Sequence, residues 1–233
     1  KALEEQNELT PELGEKVKNA PDSITLEDLY LPFKKKRKTK AATARLQGLE
    51  PLAKMMMSQH VNDLAYTASK FVTKELETLE NALEGARFII AEWINERTDI
   101  RNTIRTQIQR FALISSKEIA SKNDDTNKTE KAQKFKDYFD WSESLKNIPS
   151  HRLLAILRAE NEGFIRVKMA IDDEKAIQRI EQQIIRSQNE CSEQIQLAIQ
   201  DAYKRLLFPS LSNEALSIAK EKADEEAIAV FAK

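Results

Sequence analysis

The sequence predicts a mainly α fold: an irregular multi-helix array with long amphipathic helices and room for one or two short β-strands. Glycine occurs four times and proline six times in 233 residues, and glycine at roughly 7% would be ordinary, so tight turns are scarce. Long stretches are rich in Ala, Leu, Glu, Lys, Gln and Arg, the strong helix formers. Apolar residues recur at steps of three and four, whereas an all-β chain needs a turn signal every 8 to 12 residues or so.

Thr10-Pro11 places a capping hydroxyl before a proline at the first helical position, so a short helix follows. Thr25 to Leu29 reads as a further short turn, with Thr25 and Asp28 in capping-box spacing and Pro32 as its end. Thr39 to Gln47 is a helix closed by Gly48, and Pro51 starts the next. From Leu76, residues Leu79, Leu83, Ala86, Ile90 and Trp93 line one helical face, and Ile100, Ile104, Ile108 and Phe111 line another. Lys131 to Phe139 and Pro149 to Asn161 read as helices, the latter capped by Ser150. After Gly163 the period changes: Ile165 to Ile171 alternates as a strand does, with Phe111 to Ser115 as its pairing partner. From Asp173 a single apolar stripe through Ile177, Ile180, Ile184, Cys191, Ile195, Ala198, Ala202 and Leu206 runs up to Pro209, and Leu211, Ala215, Ile218 and Phe231 belong to a last helix.

The length suits one large or two small domains with an ordinary core. The wholly polar segment 122–130 divides a helical subdomain over 1–121, which carries the basic loop 34–40, from a second helical subdomain over 131–233, with the short strand at 164–171. One cysteine, Cys191, excludes an internal disulfide and points to a reducing compartment. No run approaches the ~18 apolar residues of a membrane span, so no membrane partner is expected. The charged start at Lys1 to Glu8 and the uncapped helix at Ala227 to Lys233 read as a piece excised from a longer chain. A net charge of -1 leaves phosphate binding to local clustering.

Such a cluster exists. Lys34, Lys35, Lys36, Arg37, Lys38, Lys40 and Arg45 form a run with no acidic residue among them. Its charge can displace condensed counterions from RNA or DNA, giving salt-sensitive and sequence-nonspecific affinity, with Tyr30 and Phe33 as stacking surfaces. Two other readings stand beside this one. The run can be a solvated loop neutralised by acidic helices of the same chain, or a nuclear import signal, a motif too frequent by chance to decide a compartment.

Catalytic constellations do not assemble. The only histidines are His60 and His151, and Cys191 lies on an isoleucine stripe with neither nearby in sequence, as a core residue does. Ser150 and His151 are adjacent and so diverge on a helix. Asp124-Asp125-Thr126-Asn127 resembles the start of a calcium loop, but Glu130 and Lys136 stand where glycine and the bidentate glutamate belong. Asp172-Asp173-Glu174 opens a helix, where acidic charge suits the dipole. No metal, no cofactor and no enzymatic activity are expected.

Three stretches carry a resemblance: Asp28 to Lys34 with the basic run and Ala44 to Ala53; Lys134 to Asp140 followed by Ile148 to Arg152; and Ala223 to Phe231. Together with Leu9 to Leu13 they resemble, in order along the chain, the bacterial Tex-type transcription accessory proteins. Trp141 departs from the family's usual tyrosine, and Ile171 to Leu206 matches only loosely. The resemblance implies a cytoplasmic multidomain protein with an RNase H-like domain, helix-hairpin-helix elements and a C-terminal OB-fold RNA-binding domain. This chain then corresponds to the N-terminal helical region before the RNase H-like domain. The leading functional reading is a non-catalytic helical scaffold of a nucleic-acid-binding transcription accessory factor whose basic run touches phosphates. The alternative is a protein interaction module that docks on the transcription machinery or on other domains of the parent chain.

Overall fold

A computed structural model describes residues 10–34, 38–119 and 133–231, so the expected dividing loop 122–130 lies outside the described residues. The fold is mainly α with one small antiparallel sheet, as the glycine-poor, helix-forming sequence predicts. Contacts group the chain into two units, one from Lys1–Asn102 with Arg179–Leu207, the other from Thr103–Gln178 with Phe208–Lys233. Each unit is thus assembled from two stretches of chain.

The first unit opens with α1 (Pro11–Lys18), whose Leu13 N–H donates to the Thr10 hydroxyl at 3.2 Å. In α2 (Ser23–Tyr30) the cap is Asp22, accepting from Thr25 N–H at 2.7 Å, so Thr25 already lies inside the helix and is not its cap. Helix α3 (Lys40–Leu46) is capped by Thr39 and followed by Gly48 at φ 78, a left-handed turn that favours glycine. Next come α4 (Glu50–Ser58), with Pro51 in its first turn, and α5 (Leu64–Ser69). Helix α6 (Leu79–Glu96) is buried far beyond one stripe: Ala82, Leu83, Gly85, Ala86, Ile89, Ile90, Ala91 and Ile94 are all enclosed. Helices α3, α4, α5 and the later Glu190–Asp201 helix all pack on it. At Gly85 the fit is closest, since a Cβ there would collide with Leu49 Cδ1, and Leu49 is itself fully buried.

Helix α7 (Thr98–Phe111) follows. Its Arg101 donates to Asp28 at 2.6 Å, with side chains only 6% and 1% exposed, so a paired charge links α7 to α2 inside the unit. The later stretch departs from the expected single stripe. Helix α9 (Asp173–Ile184; α8 is described with the second unit below) stops, and α10 (Glu190–Asp201) begins afresh with a capping box between Asn189 and Ser192. The break is held by Gln59, the αL residue that ends α4 at φ 59. Its side-chain oxygen accepts from Arg186 N–H at 2.8 Å, its amide donates to Ile184 O at 2.9 Å, and its carbonyl accepts from Asn189 at 2.9 Å. Three backbone or side-chain groups freed by the helix break are thereby satisfied.

Pro209 does not end the following helix. A π-helical segment, Ala202–Leu207, leads directly into α11 (Phe208–Phe231), with Pro209 in its first turn. The π register changes the backbone pairing just where proline cannot donate. It also moves the buried stripe: after Ala202 the enclosed leucine is Leu207, not the expected Leu206.

In the second unit β1 (Leu113–Glu118) lies between β2 (Asp140–Ser144) and β3 (Ile165–Ala170), antiparallel to both. The expected β3–β1 pairing is present, with Ile114 opposite Met169. Strand β2 is an addition to the expected elements, and of the expected helix over 131–139 the described part is helical at Gln133 and passes into a short 3-10 turn, Lys136–Tyr138. Aromatic packing explains the turn: Phe135 stacks on Phe164 at 5.5 Å and Tyr138 meets Trp141 edge-on, joining the cluster around Ile156, Ala159 and Ile165. Helix α8 (Ser150–Asn161) covers the inner sheet face and packs on α11. Ser150 is not its cap: the cap position is Pro149, and the Ser150 hydroxyl bonds the Glu226 carboxylate. On the open edge of β3, Val167 N–H is taken by Glu160 at 2.8 Å, which blunts the edge.

Two substitutions test this account. Gly85→Val should lower stability by about 2 kcal/mol through overpacking, read by urea denaturation, and Leu49→Ala in the same chain should recover part of the loss. Asp28→Ala should cost about 3 kcal/mol by removing a carboxylate partner of the buried Arg101 charge; an unchanged denaturation midpoint would contradict that role.

Candidate nucleic-acid interface

The basic segment runs from the end of the 3-10 turn Leu31–Phe33 into α3. Lys35, Lys36 and Arg37 lie outside the described residues, and the other four occupy distinct environments. Lys34 is exposed and pairs with Glu27 at 3.0 Å. Lys38 is exposed. Lys40, also exposed, sets its ammonium 4.4 Å above the Phe88 ring. Arg45 is turned inward: Nη1 donates to Glu92 Oε1 at 2.6 Å, and Nε stands 3.6 Å from Glu50. Glu92 is 7% exposed, and the Thr39 hydroxyl also reaches it at 3.5 Å. A buried carboxylate needs such partners, so Arg45 fixes α3 against α6, and the more exposed cations are Lys34, Lys38 and Lys40.

The structure brings to this place two residues that the sequence reading did not single out. Arg205, on the π segment, stands 5.5 Å from the Phe88 centroid, so the ring has Lys40 and Arg205 as cationic neighbours. Arg205 also forms an ion pair with Asp201, and that carboxylate raises its pKa further. A cleft of about 160 Å³ lies here, lined among others by Thr39, Phe88, Glu92 and Arg205. The i to i+4 spacing of Asp201 and Arg205 was visible in the sequence; their approach to Phe88, more than a hundred residues earlier, was not. Tyr30 and Phe33, the expected stacking residues, are each only partly exposed.

The residues considered for catalysis have structural settings. Cys191 is fully buried, and burial raises its thiol pKa, with Glu190 adding to the rise and a backbone hydrogen bond from Val61 opposing it. Asp172 accepts Lys175 N–H at 3.0 Å and pairs with its ammonium at 2.8 Å, which lowers the Asp172 pKa and starts α9. Asp124 and Asp125 lie outside the described residues. Among the described residues no helix is long and apolar enough to cross a membrane.

These features define a mainly helical, two-unit protein segment with Lys34, Lys38 and Lys40 exposed on its first unit. Residues 60–231 match the family model described as Tex central region-like. The chain is 35% identical over its whole length to the transcriptional accessory protein Tex of Neisseria gonorrhoeae, covering 31% of that protein. It is 35% identical over 73% of its length to protein tex of Bordetella pertussis, covering 21% of that relative. The human S1 RNA-binding domain-containing protein 1 is 29% identical over 88% of the chain, which covers 22% of it. The chain therefore belongs to the Tex family, and it spans less than a third of the length of these relatives.

The setting of Cys191 has a chemical consequence. A thiol-specific reagent at pH 8 should label it only on unfolding, because the folded state disfavours the thiolate. The same preference means that its contribution to stability is present below the unfolded thiol pKa and declines as pH rises above it. Rapid stoichiometric labelling of the native chain would contradict the burial.

Proposed function

We propose that this chain is a non-catalytic helical scaffold region of a cytoplasmic, nucleic-acid-binding transcription accessory factor, and that the strip from Lys34 to Lys40 contacts phosphate backbones. One observation carries the reading. The helix behind the strip is fastened by Arg45 to Glu92, while Lys38 and Lys40 remain exposed in front of it. A fixed base with exposed cations suits sequence-independent backbone contact. The relatives' names support the same direction, one being a transcriptional accessory protein and another an S1 RNA-binding domain-containing protein. The scaffold role rests on α6, whose extensive burial is spent on packing and leaves its side chains little room for chemistry. Ser150 is engaged by Glu226 and Cys191 is enclosed, which favours a non-catalytic role.

Leu46, at 90% exposed the most open of the large apolar residues described, supports a second reading in which this surface docks on another protein of the transcription machinery or on another domain of the parent chain.

Fluorescence anisotropy with single-stranded RNA and duplex DNA at rising salt tests the first reading. Binding should weaken with a log–log slope of about −0.9 per duplex phosphate neutralised. Alanine at Lys34, Lys35, Lys36, Lys38 and Lys40 should reduce affinity about tenfold or more. Arg45 is kept, since it fixes α3 against α6 through Glu92. Unchanged affinity in that variant would refute the strip as a contact, and then retained binding of a labelled partner protein would favour docking.

A further inference from the structure

The geometry points to a second phosphate-binding surface, on the outer face of the three-stranded sheet, for a nucleic-acid backbone. The register places Lys117 directly opposite Arg166, and Ser115 directly opposite Lys168, on the face away from buried Ile114 and Ser116. Lys117, Arg166 and Lys168 are all exposed, and among the described residues none has a carboxylate within ion-pairing distance. Like charges directly across an antiparallel pair repel. A polyanion laid across the strands would relieve this.

The shape of the face agrees. A concavity of about 490 Å³ is lined by Ser115, Lys117, Glu118, Ile119, Arg166 and Lys168. Two carboxylates lie close by: Asp140 opposes Lys117 from β2, and Glu118 has the parity of the inner face at the sheet's end. They temper the field without forming an ion pair to any of the three cations. The remaining outer-face positions are mostly small, with Ser142 opposite Ser115 and Ser144 opposite Leu113, and Ala170 across Leu113 on the other side. Small side chains let a backbone approach, and the Ser142 and Ser144 hydroxyls are of the kind that donates to phosphate oxygens, while the Ser115 hydroxyl donates to Lys168 O. This face has no aromatic residue for base stacking, so contact is to the backbone and carries little sequence preference, unlike the aromatic platforms of single-strand readers.

This inference rests on the nucleic-acid reading proposed above but uses different residues, so the two can fail separately. The 233-residue chain carrying Lys117→Ala, Arg166→Ala and Lys168→Ala is titrated with labelled single-stranded RNA and duplex DNA beside the wild type and the Lys34–Lys40 alanine variant. Expected is a loss of about tenfold or more in affinity and a shallower salt slope, by about 0.7 to 0.9 for each phosphate no longer neutralised. Wild-type affinity in the folded triple variant overturns the proposal, and an effect of the Lys34–Lys40 variant alone leaves the first reading standing without it. No binding by the wild type at low salt overturns both. Binding of poly-glutamate as tight as that of RNA, abolished in the same triple variant, assigns the face to an acidic protein and also overturns it. Should the triple variant misfold, Lys168→Gln alone carries the test through a smaller change of the same kind.

Discussion

Helix α6 can serve as the centre of its unit only because its neighbours come unusually near, and they come near because residue 85 has no side chain. Leu49 fills the space a Cβ would occupy, and Ala44 lies beside it. That contact seats the later part of α3 and the start of α4 against α6. Arg45 and Glu92 then tie the same helices by charge at the outer margin of the contact. Steric fit and ion pairing act on one junction, the first excluding other approaches and the second fixing orientation.

Charge inside the two units is used sparingly and in pairs. Arg101 with Asp28 in the first unit and Arg105 with Glu214 in the second, the latter bidentate at 2.6 and 2.8 Å, both join helices distant in sequence. Such pairs stabilise modestly in net terms but penalise any packing that separates them.

Helix positions were legible where local chemistry decides them. Thr10, Thr39, Gly48 and Pro51 announced their helix ends correctly, because a capping oxygen or a left-handed glycine acts within three or four residues. Misreadings occurred where a distant group intervenes. Gln59 breaks the helix at 185–189 from more than a hundred residues away, and Glu226 draws Ser150 from its capping role. Strand β2 is five residues long with one bulky side chain, Trp141, too short for its alternation to register. The candidate interface shows the same division. The basic run is plain in sequence, yet which cation faces outward depends on Glu92 and Phe88, and the cross-strand pairing of Lys117 with Arg166 requires the register of a sheet.

The π segment gives the chain a place to vary in length. Buried positions recur at steps of four, three and four from Cys191 through Ile195 and Ala198 to Ala202, then at a step of five to Leu207, and four again to Leu211. One residue is thus looped into a wider turn without disturbing the phase on either side. Deleting a single residue between 203 and 206 would let the turn close as ordinary α-helix with Leu207 four residues after Ala202, whereas the same deletion in α6 would rotate half its buried side chains by about 100°, the angle per residue of an α-helix.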